Sequence, residues 1–254
     1  MTETETESRE RDIIRAFVEL SNELVDGYDI IELLVRLTSS CAQLLDVASA
    51  GLLLADRRGI LHLAAASSER SHDLEVFQLQ REEGPCLDCY HSGPPVTVPD
   101  LTEETQRWPQ FSAAAHALGY ASVHAVPMRL RDTVLGTLGL FGNHPGRLDD
   151  EDLALAQARV HVASVAIVNE KSTADRTMVN AQLQHALTSR IVLEQAKGVL
   201  AYVGTLDMDI AFVVLRRYAR DRGERLSDVA GRVVSRQLPG EAVLAHARSA
   251  AILR

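Results

Sequence analysis

The residues best suited to chemistry in this chain are the arginines of its last third. Arg216, Arg217, Arg220, Arg222, Arg225, Arg232 and Arg236 crowd into one short stretch. A guanidinium presents a rigid fork of donors that can hold a phosphate bidentately or stack on a planar ring, whereas a lysine acts more like a point charge. Arg216 and Arg220 are one helical turn apart with Arg217 beside them, and Arg232 and Arg236 repeat the spacing. Upstream, Arg190, Glu194 and Lys197 fall on one helix face. The pattern predicts solvent-exposed cationic faces that could hold a polyanion, although charged stripes also arise as plain solvated surface.

A second chemistry is suggested by PCLDC, which places Cys86 and Cys89 in a Gly-Pro loop that could open a helix. A helix N-terminus lowers a thiol pKa, and this spacing allows an internal disulfide, so a redox pair is one reading and plain packing the other. Cys41 lies in a helical pattern and reads as core. Three cysteines make no disulfide framework. His91 or His116 could complete a Cys-His metal site, but no spacing compels it, and no metal is expected. The sequence has no HExxH, no GxSxG and no Walker-type loop. The acids Asp149, Asp150, Glu151 and Asp152 read as N-terminal charges on a helix. No catalytic residue and no cofactor are expected, and the chain reads as a non-enzyme.

The arginines need helices to display them. A first helix is expected to run to about Val203 and end at Gly204. A second begins near Asp207 and Asp209 and carries Ala211, Val214, Leu215 and Tyr218 at i, i+3, i+4 and i+7. A third, after a turn containing Gly223, repeats the spacing with Leu226, Val229, Ala230 and Val233. Three apolar stripes make a minimal core.

Earlier in the chain the period changes. Helical patterns at 12–25 and 30–47 precede two strand-like runs, 49–56 and 60–67, which read as a hairpin around Arg57, Arg58 and Gly59. A polar helix to about Gln80, a loop-rich passage with Gly84, Pro85, Gly93, Pro94, Pro95 and Pro99, and a helix at 109–118 follow. A second hairpin joins 122–130 to 133–142 through Arg131 and Asp132. Between Gly146 and Gly198 there is neither glycine nor proline, so 51 residues could stay helical with a local break at the polar stretch 171–177. The apolar spacing of this segment, with Ile13, Ile14, Phe17 and Leu20, predicts a homodimer packed through helices, the other reading being that these helices cover the sheet of a monomer.

Charge divides the chain. From Ala181 onward there are 11 basic and 7 acidic residues, net +4; the first 180 residues carry net −13, which together make the whole-chain −9. The tail is the half suited to nucleic acid, because screening limits the relevant field to about 8 Å at physiological ionic strength. No apolar run reaches membrane-spanning length and the N-terminus is acidic and polar, so a cytoplasmic location is expected.

The segments ALTSR (186–190), EQAKG (194–198), AFVVLRRYAR (211–220) and LSDVA (226–230) together resemble the ANTAR domain. That resemblance implies an RNA-binding antiterminator that grips paired stem-loops in nascent RNA and prevents a terminator from forming. It implies RNA contacts at Arg190, Gln195, Lys197, Gly198, Arg216, Arg217, Arg220, Arg222, Arg225 and Arg232. Where many members continue AKGxLM, this chain has Leu200 followed by Ala201, a departure expected to alter packing. Reversal of Lys197 or Arg220 to glutamate is expected to abolish RNA binding with the fold intact.

The fragments GPCLDCYHSGPPVTVPDL and VPMRLRDTVLGTLGLF resemble a GAF domain, an antiparallel-sheet sensory module. As function it implies a signal input, since such domains bind diverse small molecules or none. The expected fold is therefore α+β, an antiparallel-sheet GAF domain joined by a long helix to an all-α three-helix ANTAR domain. The expected bounds are an N-terminal helix 1–26, sensory domain 27–169, helical linker 170–182, RNA-binding domain 183–237 and tail 238–254. Two other readings stand beside it: a helix-turn-helix DNA-binding regulator built on RLSDVAGRVV, and a redox or enzymatic switch at Cys86 and Cys89.

Overall fold

The computed structural model describes residues 29–45, 47–169 and 176–250, without the side chains of 168–183. The expected helix at 1–26 and most of the polar gap at 171–177 lie outside the described residues. Two compact units form, one mainly Leu33–Gln184, the other Tyr28–Glu32 with His185–Arg254.

The first unit is built on a five-stranded antiparallel sheet ordered β2-β1-β5-β4-β3, from β1 (Ser49–Ala55), β2 (Leu61–Ala66), β3 (Val96–Val98), β4 (Ser122–Leu130) and β5 (Thr133–Gly142). All seven residues of SAGLLLA are buried, so β1 is covered on both faces, as its unbroken apolar run requires. The first hairpin turns because Asp56 Oδ1 accepts the amides of Arg58 and Ile60 at 2.8 and 3.0 Å while Gly59 takes φ 79°. At Gly136 the backbones of β5 and β1 come so close that a Cβ would collide with the carbonyl oxygen of Leu53. Only glycine fits there.

β3 lies in the passage expected to be loop. It pairs Val96 with Ala125 and Val98 with Val123. Prolines 94, 95 and 99 mask it in sequence, but a short strand bonded along one edge tolerates flanking residues that cannot donate.

Helices α1 (Ile30–Leu44), α2 (Glu69–Arg81), α3 (Pro85–Ser92), α4 (Pro109–Ala117) and α5 (Asp150–Asn169) complete this part of the chain. α2 opens with a reciprocal Ser68–Ser71 capping box, and α3 and α4 open on proline, whose missing N–H has no helical partner to lose. α2 packs on β1 and β2, α3 on β3, β4 and β5, and α5 on β4, where Gln157 donates to the carbonyl of Pro127 at 3.1 Å. The buried Arg159 of α5 donates to Ser40 of α1. One core cluster gathers Leu74, Trp108, Phe111, Tyr120 and Phe141, and within it Tyr120 keeps its hydroxyl satisfied by Ser49 at 2.6 Å.

The second unit contains α6 (Arg176–Gly204) from His185 onward, α7 (Met208–Arg222), α8 (Leu226–Val234) and α9 (Gly240–Ser249). The expected stripes are buried: Ala211, Val214, Leu215 and Tyr218 on α7, and Leu226, Val229, Ala230 and Val233 on α8. α7 ends in a left-handed cap at Gly223, φ 63°. The residues expected to form a tail include a fourth helix instead. α9 packs on α7 and buries Val243, Leu244 and Ala247, and the Cβ absent at Gly204 leaves room for Leu206 and Leu244. Three stripes alone leave a small core, and α9 adds apolar area worth about 1.5–3 kcal/mol for each large side chain it buries.

Candidate nucleic-acid interface

The predicted contacts distribute over α6, α7, α8 and the turn between the last two. On α6 the expectation of a solvent-exposed cationic face is overturned. Arg190 and Lys197 are 8% and 5% exposed, and both engage Glu194: Arg190 Nη2 at 2.7 Å from Oε1, Lys197 Nζ at 3.3 and 3.1 Å from Oε1 and Oε2. Their place explains it, because Ala186, Arg190, Leu193, Lys197 and Leu200 follow one another at the four- and three-residue steps of a single buried stripe. The spacing is visible in sequence; that this stripe is the buried one is set by the packing of the unit. Buried cations persist only when paired, and Glu194 supplies the pairing.

The face that α6 does expose is Ile191, Gln195 and Tyr202, at 59% exposure for the isoleucine and 88% for the tyrosine, with the half-buried Gly198 between them. Nothing lies within 4 Å of the position a Gly198 side chain would take. Tyr202 was missed by sequence reasoning. The signal was its position one turn beyond Gly198 and two beyond Gln195.

On α7 the arginines differ in engagement. Arg216 is half-buried with Nε 3.2 Å from Glu32 Oε1. Arg217 donates to Asp221 at 2.8 Å, and His246 of α9 contacts the same carboxylate at 3.0 Å; those two hydrogen bonds hold the Asp221 carboxyl below its usual range. Arg222 lies over the Tyr218 ring at 4.4 Å from its centroid. Arg232 on α8 pairs with Glu224. Arg220, Arg222 and Arg225 are exposed, and among the described residues neither Arg220 nor Arg225 forms an ion pair. The structure thus brings Arg190 and Lys197 together on one acid, and leaves Arg220, Arg222 and Arg225 open to an incoming phosphate.

The CxxC pair has a different environment from the one its helix position predicts. Cys86 lies in the first turn of α3 and Cys89 in the second, yet both are fully buried, and each thiol donates its own way: Cys86 Sγ to Glu75 Oε1 at 3.7 Å, Cys89 Sγ to the Ala125 carbonyl at 3.5 Å. Burial pushes Cys89 up to about 12, and burial followed by the Glu75 carboxylate pushes Cys86 well above its ordinary value. Desolvation outweighs the helix end at both sulfurs, an environment that favours packing over thiolate chemistry. Glu75 itself is raised to about 8 by burial, against hydrogen bonds from Gln78 and Cys86 that lower it. The sheet makes room for this group: a Cβ at Gly51 would lie 2.6 Å from Glu75 Cγ, and one at Gly139 2.7 Å from Glu75 Oε1 and 2.8 Å from Cys86 Sγ.

Glu69, His72 and Asp73 on α2 hold potential ligand atoms within 4.8 Å of one another. They lie on one partly exposed helix turn, where acid and histidine at this spacing are ordinary solvated surface.

Residues 28–168 match the family model of the GAF domain, more than half of the chain, and residues 181–234 match that of the ANTAR domain. The chain belongs to the GAF domain family. Behind its GAF domain it carries an ANTAR domain, and its fold is the α+β arrangement that the resemblance implied. As a regulator, it pairs a sensory module with an RNA-binding antitermination module. Among solved structures, the GAF domain from Acinetobacter phosphoenolpyruvate-protein phosphotransferase is 16% identical, with a TM-score of 0.48, over 69% of this chain and 99% of its own. That of the Coxiella burnetii phosphoenolpyruvate-protein phosphotransferase is 15% identical, TM-score 0.49, over 63% and 94%. Free methionine-R-sulfoxide reductase from Neisseria meningitidis is 15% identical, TM-score 0.47, over 68% and 91%. No curated protein matches the chain. Among the described residues, no single helix is long and apolar enough to cross a membrane.

Proposed function

We propose that this GAF–ANTAR protein is a signal-responsive antiterminator that binds paired stem-loops in nascent RNA and so prevents an overlapping terminator hairpin from forming. The observation that carries the reading is the ANTAR match over 181–234, on a segment whose exposed residues include Arg220, Arg222 and Arg225. Unstacked loop bases present edges and faces to a protein while arginines hold the flanking phosphates. The exposed face of α6 supports a base-reading role: Tyr202 offers a ring for stacking, Gln195 an amide for a base edge, and Gly198 close approach. Arg190 and Lys197 act in this reading by shaping α6 through Glu194. The protein works as a homodimer, its GAF unit taking a small-molecule signal, and no catalytic step is needed. The functional divisions are the sensory domain 27–169, linker 170–182 and RNA-binding domain 183–237.

The deciding experiment is direct binding of the full chain to a paired stem-loop RNA, a single stem-loop and a matched DNA duplex at one salt concentration. Preference for the paired RNA is expected. One feature favours a competitor: α7 and α8 are joined by only three residues, 223–225, as in a helix-turn-helix unit. Preference for the DNA duplex would install that reading instead.

A further inference from the structure

Helix α8 begins without a cap of its own. Its preceding residue, Arg225, makes no side-chain capping bond. The Ser227 amide instead donates to Asp29 Oδ2 at 2.7 Å, across a sequence separation of 198 residues. The other oxygen of the same buried carboxylate, Oδ1, accepts the Ile31 amide at 2.9 Å and so caps α1. Just beyond, Glu32 Oε1 takes Arg216 Nε at 3.2 Å. One carboxylate therefore ties together the first turns of two helices, and a second occupies an arginine predicted to contact RNA. Both acids lie in the segment Tyr28–Glu32, which is part of the same compact unit as α7 and α8.

Carboxylate and phosphate are alternative partners for a guanidinium, because both offer anionic oxygens to its fork of donors. We propose that the acidic segment 28–32 is an intramolecular competitor of RNA: it engages Arg216 and pins α8, and the RNA-competent state is the one from which it has departed. The inference rests on the RNA-binding reading above and adds its regulation. Segment and helix are continuous, since α1 runs from Ile30 to Leu44, so a signal that shifts α1 would carry the competitor with it. Apparent affinity for RNA is then the intrinsic affinity reduced by the fraction of molecules in which the segment is released.

The test uses the full chain, paired stem-loop RNA and fixed salt, comparing wild type with Glu32→Gln and with Asp29→Ala combined with Glu32→Gln. The single variant should bind RNA about two- to threefold more tightly and the double variant about five- to tenfold, as the closed population shrinks. Hydrogen exchange supplies a second readout: adding RNA to wild type should speed exchange at the Ser227 amide, which loses its Asp29 acceptor when the segment leaves. Unchanged or weaker binding by variants that still melt cooperatively would overturn the proposal, as would RNA binding with no change in exchange at Ser227. Should the double variant lose its fold, Glu32→Gln decides, because it leaves the Asp29 bonds in place. If wild type and variants alike show no preference for paired RNA over duplex DNA, the RNA-binding reading fails and the competitor falls with it.

Discussion

Glu75 shows how one buried residue sets a pH dependence. Its folded pKa of about 8 lies above the ordinary value of 4.5, so between these values the folded chain keeps a proton that the unfolded chain has lost. Stability from this group is therefore full below about pH 4.5, declines through the window and levels off above about 8. Glu75→Gln keeps an acceptor for Gln78 and removes the titration, so the variant should gain on wild type as pH rises from 5 to 8, by about 2–4 kcal/mol in all. Melting both proteins across that range checks it; a constant difference would contradict the assignment. The neighbouring thiols yield a second expectation. Alkylation and mass spectrometry of native protein under mild oxidant should find Cys86 and Cys89 slow to react and not linked, since protonated, buried sulfur is a poor nucleophile. Lys197 and Arg220 no longer belong to one class of test. Lys197→Glu would leave two carboxylates in a nearly closed site and should destabilise the fold by about 3–5 kcal/mol. Arg220→Glu changes an exposed charge and should leave the melting temperature almost unmoved while RNA binding falls.

At the scale of elements, close backbone approach carries weight that periodicity does not show. Gly136→Ala should force β1 and β5 apart at Leu53, with a loss of about 1–3 kcal/mol or more read by thermal melting, because the obstructing atom is backbone and cannot rotate away. Helix α9 is legible as apolar spacing in Val243, Leu244 and Ala247, but it lies beyond the three-helix pattern that the resemblance implies. β3 was hidden by its prolines. By contrast, both hairpins, the proline-started helices and the ends of α6 and α7 were readable, because alternation, capping chemistry and glycine at Gly204 and Gly223 are local signals.

For the whole molecule, the uneven charge is the property with a measurable consequence. RNA binding should weaken with salt, with a slope of about 0.7–0.9 per phosphate contact, and Arg220→Glu should lower that slope by about 1. Variants of charge on the acidic N-terminal part outside 28–32 should alter the slope far less, because screening confines each field to about a Debye length. The expected homodimer is checked by sedimentation of the full chain across protein concentration; a single monomeric species at all concentrations would remove it.

Sequence by itself determined the division into a sensory α+β module and a basic helical module, the periods of most elements and the arginine inventory. Those follow from local rules, the alternation of strands, the 3.6-residue repeat and the chemistry of caps, and from segments long enough to resemble known families. Which charges face solvent was decided only by tertiary structure. Arg190 and Lys197 share their stripe with Ala186, Leu193 and Leu200 and are buried, whereas Tyr202 stands out in solvent. The thiols of α3 are raised in pKa for the same reason: burial raises the free energy of a charge by more than a helix end lowers it. Sequence names the residue and its neighbours along the chain, but solvation depends on what the rest of the fold lays over it, as Asp29 does for a helix 198 residues away.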